Sequence, residues 1–167
     1  LLEKSKNFHI DEIHLIIGND LLHTDTPFRK TTAGTPQDTN GMWTDAFKVA
    51  KNTLIKVIEQ LRMKAKLKVI FNPSNHDYMS GYFLADTLSS WFNNSGVEFD
   101  VSIRHRKYHV YGNSLIGSSH GDGAKENDLP LIMANEAKQM WADSKFRYWY
   151  CHHIHHKKKT KWQDGKD

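Results

Sequence analysis

Four short apolar segments of this chain each end in a cluster of polar residues that can bind metals. The segments cover residues 13–17, 67–71, 114–118 and 146–151. Short apolar runs stopped by turn residues are typical of buried strands. Ligands in open α/β sheets gather at the carboxyl ends of the strands. We therefore expect the four clusters, although far apart in the sequence, to converge at one edge of a sheet.

The clusters supply carboxylate, amide and imidazole groups. The candidate metal ligands are Asp20, Asn75, His120, His153 and His155. His153 and His155 would share one face of a strand end, because side chains two positions apart point the same way. Mixed nitrogen and oxygen donors suit manganese, iron or zinc better than calcium or magnesium. Two such ions about 3.5–4 Å apart would clamp a phosphate and lower the pKa of a bound water.

Two residues beside these ligands carry acid–base chemistry. His76 directly follows Asn75, so its imidazole would lie near the ions without having to bind them. Asp77 would orient that imidazole or raise its basicity. We therefore predict His76 and Asp77 as the catalytic pair, with His76 protonating the leaving oxygen or stabilising the phosphate.

Segments with helical periodicity lie between the apolar strands, which indicates an α/β fold with mixed sheets. Apolar residues recur at steps of three and four within three segments, residues 42–64, 82–92 and 129–141. Further strands are predicted over residues 97–103 and 108–111, and Gly112-Asn113 is a hairpin signal. Residues 23–41 are rich in Thr, Asp, Gly and Pro and predict a long loop.

Composition limits the class of protein. A chain of 167 residues predicts one domain, over residues 1–167. It has no apolar run of about 18 residues, so we expect no membrane span. The single cysteine, Cys151, excludes an internal disulfide and favours a reducing, cytoplasmic setting. The net charge of +4 is concentrated in residues 157–167, where five lysines would attract phosphates or form a solvated end.

These motifs, in this order, resemble the calcineurin-like metallophosphoesterase family. Its signature runs Asp-x-His, Gly-Asp, Gly-Asn-His-Asp/Glu, a lone His and Gly-His-x-His. Gly18-Asn19-Asp20 is similar to the second block with one residue inserted, and residues 73–77 are similar to the third with Ser74 in place of glycine. Residues 119–122 resemble the fourth block, and residues 152–155 resemble the fifth with His152 in place of glycine.

The resemblance implies a mixed β-sheet sandwich flanked by helices and a site for two divalent ions, manganese foremost, with iron, zinc or magnesium as alternatives. It implies Asp20 as the bridging ligand and Asn75, His120 and His153 on one ion. His155 would serve the other ion, and His76 the leaving group. The chain looks most like bacterial and phage DNA repair exonuclease-like phosphoesterases, whose substrate is a phosphodiester in nucleic acid.

The chain departs from the family at its first block. No Asp-x-His precedes Gly18, and in the family that block lies on an earlier strand. We therefore expect the chain to be truncated at its N-terminus and also at its C-terminus, where the family continues. One ion would keep only Asp20 and His155, so we expect one occupied site rather than two.

Three functions follow from these residues. The first is a metal-dependent phosphodiesterase, exonuclease-like, acting on nucleic acid or nucleotides. The second is a catalytically impaired module that binds nucleic acid or a protein partner through the basic end of the chain. The third is a purely structural role, in which the histidines bind a single zinc ion that holds the fold together.

Overall fold

The computed structural model describes residues 3–153, and six strands of this part form two small sheets. The first sheet is parallel and contains β1 (Glu12–Gly18), β2 (Lys66–Asn72) and β3 (Glu98–Asp100), in that order. The second contains β4 (Arg106–Tyr111), β5 (Ser114–Ser119) and β6 (Phe146–Tyr150). In it β5 runs antiparallel to β4 and parallel to β6. The α/β class predicted from the sequence is confirmed, and the second sheet is mixed.

Helices join the strands of the parallel sheet. α1 (Trp43–Arg62) connects β1 to β2, and α2 (Tyr78–Trp91) connects β2 to β3. Alternate residues of β2 point to opposite faces. Leu67, Val69 and Phe71 pack into one apolar core with residues of both helices, such as Ile58 and Leu84. One face of this sheet is therefore covered by α1 and α2.

The other face of the parallel sheet meets the second sheet through polar side chains. The Ser118 hydroxyl donates a hydrogen bond of 3.4 Å to the Asn72 side-chain oxygen. The buried Lys107 ammonium donates to Asp100 at 2.8 Å. These contacts fix the two sheets relative to each other near the carboxyl ends of β2 and β5.

A second, smaller core lies on the outer side of the mixed sheet. Leu115 packs there against Met133 and Ala137 of the segment that forms α3 (Leu129–Glu136) and α4 (Lys138–Asp143). The layers therefore run helices, sheet, sheet, helices. Among the described residues, no helix combines the length and the apolar content that crossing a bilayer would require.

Three predicted elements differ in extent from those observed. The strand expected over residues 97–103 is only Glu98–Asp100, because the Asp100 carboxylate accepts hydrogen bonds from the backbone and hydroxyl of Ser102 and forms a turn. The helix expected over residues 129–141 is broken at Ala137, whose φ of −119° and ψ of 45° are not helical. The helix expected over residues 82–92 begins earlier, at Tyr78.

The polar layer between the sheets makes stability depend on pH. Burial, with His14 and Lys68 nearby, lowers the pKa of His109 from 6.5 to about 4, although Asp100 acts in the opposite direction. The unfolded chain therefore binds a proton that the folded protein does not, and stability is lost as the pH falls from 6.5 towards 4. We expect the loss to be about 3 kcal/mol. Urea denaturation of wild type and His109→Gln at several pH values measures it.

The matched control is His9→Gln, since the His9 side chain is 88% exposed. This variant should keep the full pH dependence, whereas His109→Gln should lose that part of it. An unchanged slope in His109→Gln between pH 6.5 and 4 would contradict the prediction.

Candidate metal centre

The candidate site lies where four strands end. β1 and β2 are parallel, so their carboxyl ends share an edge, and the same holds for β5 and β6. Asp20 follows the end of β1, and Asn75 follows the end of β2. His120 comes directly after β5, and His153 lies three residues beyond β6. The structure brings these four side chains together, as the sequence predicted.

The imidazole of His120 is the centre of this cluster. Its Nε2 atom lies 2.9 Å from the Asn75 side-chain oxygen and 3.1 Å from a carboxylate oxygen of Asp20. The Nδ1 atom of His153 lies 3.0 Å from the same Nε2 atom. Three polar atoms from three different loops therefore converge on one ring nitrogen.

One ring nitrogen cannot satisfy three such neighbours. A neutral imidazole nitrogen either donates one hydrogen or accepts through one lone pair. A cation among the four atoms would satisfy all of them, because each presents a lone pair. Bonds of about 2.1 Å place ligands at right angles about 3.0 Å apart, which is the separation found between Nε2 of His120 and each of its three neighbours. The donor set therefore fits a divalent cation, and two nitrogen with two oxygen donors favour a first-row transition metal.

The surroundings keep His120 in the form that binds metals. The residue is only 2% exposed. This burial lowers the pKa of His120 below its ordinary value, and the nearby Asp20 and Asp122 only partly oppose the effect. The ring is therefore neutral at pH 7, with a lone pair available for a cation.

Left-handed backbone places the Asp20 carboxylate. Gly18, Asn19 and Asp20 have φ angles of 92°, 57° and 66° in succession. Asparagine and aspartate tolerate this region best among residues with side chains. At Gly18 no side chain fits, because an added Cβ would lie 2.2 Å from the carbonyl oxygen of Asn72. Three successive residues with positive φ thus form the turn that carries the Asp20 side chain.

Hydrogen bonds from the β2–α2 loop then fix Asp20. The backbone N–H of Asp20 donates to the Ser74 hydroxyl at 2.8 Å, and its carboxylate accepts the His76 N–H at 3.1 Å. Ser74 in turn donates to the Asp77 carboxylate at 2.5 Å. Ser74 thus links the loop that carries Asp20 to the loop that carries Asn75 and Asp77.

The structure gives Asp77 a different contact from the one expected. Its carboxylate is fully buried and accepts from Ser74 and from the Leu22 N–H at 2.7 Å. Burial raises the pKa of Asp77, and these hydrogen bonds lower it by less. The Asp77 carboxylate points towards Ser74 and Leu22 instead of His76. The side chain that contacts the His76 ring is that of His23. Asp77 therefore holds the Asp20 loop in place.

His23, which the sequence analysis did not assign to the site, lies beside His76 in the structure. Its Nδ1 atom lies 3.3 Å from Nδ1 of His76, and the two ring centroids are 5.2 Å apart. His23 has a φ of 64°, and its N–H donates to the Asp20 carbonyl. The only sequence signal for His23 was its position three residues after Asp20. Its side chain reaches His76 because the chain turns tightly between Asp20 and His23.

Backbone hydrogen bonds couple the two candidate histidine ligands. The carbonyl oxygen of His120 accepts from the N–H groups of both His152 and His153, each at 2.8 Å. Gly121, with a φ of 109°, allows the two loops to approach, since an added Cβ would lie 3.1 Å from the Cβ of Cys151. The relative positions of the two imidazoles are thus set by main-chain contacts.

The remaining predicted ligand, His155, lies outside the described residues, as does the basic end of the chain. Within residues 3–153, one group of three ionisable side chains has ligand atoms close enough for a common metal ion: Asp20, His120 and His153. Comparisons with protein families, curated proteins and solved structures found no match for this chain.

Proposed function

We propose that this chain is a metal-dependent phosphodiesterase of the metallophosphoesterase type that acts on nucleic acid or nucleotides. The observation that supports the proposal most is the convergence of three polar atoms on Nε2 of His120. The single cysteine fits a cytoplasmic setting for such an enzyme.

A divalent cation held by Asp20, Asn75, His120 and His153 would neutralise phosphate oxygens and generate a nucleophile from water at neutral pH. The chain itself supplies the ligand geometry, because Asp20 is restrained by Ser74 and by the His76 backbone. His76 is the proposed proton donor to the leaving oxygen. In its protonated form the His76 imidazole carries hydrogens on both ring nitrogens, so Nδ1 donates to Nδ1 of His23 and the Nε2 hydrogen is available to the leaving oxygen.

The second candidate function is an impaired module that binds without cleavage. It is favoured by the number of candidate ligand groups. The described residues contain one three-ligand group rather than two. Salt-dependent DNA binding without metal-dependent hydrolysis would identify this function. Unfolding by a chelator would instead identify a structural zinc ion.

Hydrolysis of bis-p-nitrophenyl phosphate and of a dinucleotide, each with added manganese, tests the proposal. We expect EDTA to abolish both reactions. His76→Ala should slow dinucleotide hydrolysis about 100-fold or more, because removal of a general acid matters most with a poor leaving group. The p-nitrophenolate leaving group needs little protonation, so that reaction should be less affected.

His23 offers a second check on the same step. His23→Ala should show a smaller loss with the same preference for the dinucleotide, and His23→Asn should restore part of it, because its side-chain oxygen accepts a hydrogen bond from His76. His9→Ala, which alters an exposed histidine, is the control. Equal losses with both substrates would contradict the role of His76 as proton donor.

A further inference from the structure

A concave apolar groove adjoins the candidate metal centre. Its volume is about 340 Å³, and it lies between the first turns of α1 and α2 and the loop that follows Asp20. Volumes of this size accommodate a small ligand. The side chains that form its walls, here called the aromatic groove, are Leu22, Pro27, Trp43, Phe47, Met79 and Phe83.

The two walls of the aromatic groove continue directly into the ligand-bearing loops. Leu22 is two residues beyond Asp20, a stretch of chain that spans at most about 7 Å. The N–H of Leu22 also donates to Asp77, which lies two residues beyond Asn75. Met79 on the opposite wall is three residues beyond His76. The groove and the cluster are therefore formed by the same two segments of the chain.

The side chains of the groove suit a flat ring. Trp43 is 50% exposed, and Phe83 and Met79 are each 55% exposed. These three side chains therefore expose large apolar surfaces to water. Nucleobases stack on aromatic side chains with little dependence on sequence, because every base has a π-face.

The loop that forms the outer wall carries positive charge. Arg29 and Lys30 follow Pro27 and are exposed. The Asp25 N–H donates to the Lys30 carbonyl, and the Arg29 N–H donates to the Thr26 carbonyl, so this loop is folded tightly. The one carboxylate at the groove, that of Asp25, is occupied by the N–H groups of Met79 and Ser80. The loop therefore carries two cationic side chains and one carboxylate, and its net positive charge is complementary to phosphates.

We propose that the aromatic groove binds a nucleobase of a single-stranded nucleic acid whose phosphodiester lies at the Asp20–His120 cluster. The proposal rests on the function proposed above and adds its substrate class. Trp43 and Phe83 are the stacking residues, and Arg29 and Lys30 contact the neighbouring phosphates.

The first experiment measures hydrolysis with manganese. Thymidine dinucleotide and the same dinucleotide with abasic sugars are compared in wild type, Trp43→Ala and Phe83→Ala. We expect the KM for the thymidine dinucleotide to rise about tenfold in each variant, with the values for the abasic compound unchanged. The control is Trp91→Ala, an exposed tryptophan in the last turn of α2 that should have no effect. Equal changes for both compounds, or none, would overturn the proposal.

The second experiment does not require hydrolysis, so it separates failure of the groove from failure of the catalytic proposal. In metal-free protein, the indole N–H resonance of Trp43 is assigned by its loss in Trp43→Phe. Tetrathymidylate should shift this resonance in a saturable manner, and an abasic tetranucleotide should not. If tetrathymidylate leaves it unmoved, or the abasic compound moves it equally, the groove does not bind bases.

Discussion

Replacing Asp20 with asparagine is expected to weaken manganese binding by at least about 100-fold. Removing a residue that only hydrogen-bonds to a metal ligand already lowers metal affinity about 10- to 100-fold. The substitution keeps the shape of the side chain and removes the charge of the one carboxylate in the cluster of donors. Calorimetric titration of metal-free protein with manganese measures the effect. Phosphodiester hydrolysis should fall by at least as much, because the cation is proposed to carry the reaction.

Asp25→Asn is the matched control for this prediction. It makes the same chemical change five residues away, at a carboxylate that accepts the N–H groups of Met79 and Ser80 in the first turn of α2. Hydrogen bonds of this kind to a helix N-terminus are worth about 1 kcal/mol. Asp25→Asn should therefore lose some stability and keep its manganese affinity. Similar manganese affinities for wild type and Asp20→Asn would contradict the assignment of Asp20 as a ligand.

Gly18→Ala is expected to destabilise the fold by about 3 kcal/mol or more, which is at the severe end for single substitutions. The added Cβ would lie 2.2 Å from the backbone oxygen of Asn72 and 3.0 Å from the ring of Phe71. The oxygen belongs to the central strand and cannot move without disturbing the pairing of β1 with β2. Urea denaturation gives the change in free energy of unfolding.

Gly34→Ala separates the clash from the backbone strain. Gly34 has a φ of 90°, nearly that of Gly18 at 92°, but nothing lies within 4 Å of an added Cβ. This variant should lose only the cost of a left-handed alanine, about 1–2 kcal/mol. Gly18→Ala should also weaken manganese binding, because Asn19 and Asp20 continue from the displaced residue. Equal losses of stability in the two variants would show that the close approach to Asn72 has no energetic consequence.

The positions of the strands and of the candidate ligands were predictable because both depend on local patterns. Apolar runs such as residues 67–71 need only be short and bounded by turn residues to be read as strands. Parallel strands then bring their carboxyl ends to one edge, which places Asn75 beside Asp20. The roles of these residues as metal ligands remain predictions that the experiments above test.

Contacts between distant segments decided the features that the sequence left open or misassigned. α2 begins at Tyr78 rather than near residue 82, because Thr32 and Asp25 accept the N–H groups of its first turn across more than 45 residues of sequence. Ala137, in spite of its high helix propensity, interrupts the third predicted helix. Its neighbour Glu136 binds Arg106 and Tyr108 on the adjacent strand. Local periodicity contains no information about such partners.

The sequence by itself determined the α/β class, the succession of strands and helices along the chain and the residues that can donate to a metal, since these follow from periodicity, turn chemistry and side-chain type. Only the tertiary structure decided which of those residues contact one another. It turned Asp77 towards Ser74 and Leu22, paired His76 with His23 and formed the aromatic groove from three separate segments. The physical reason is that a hydrogen bond or a packed ring depends on distances in space, whereas a sequence pattern fixes only distances along the chain.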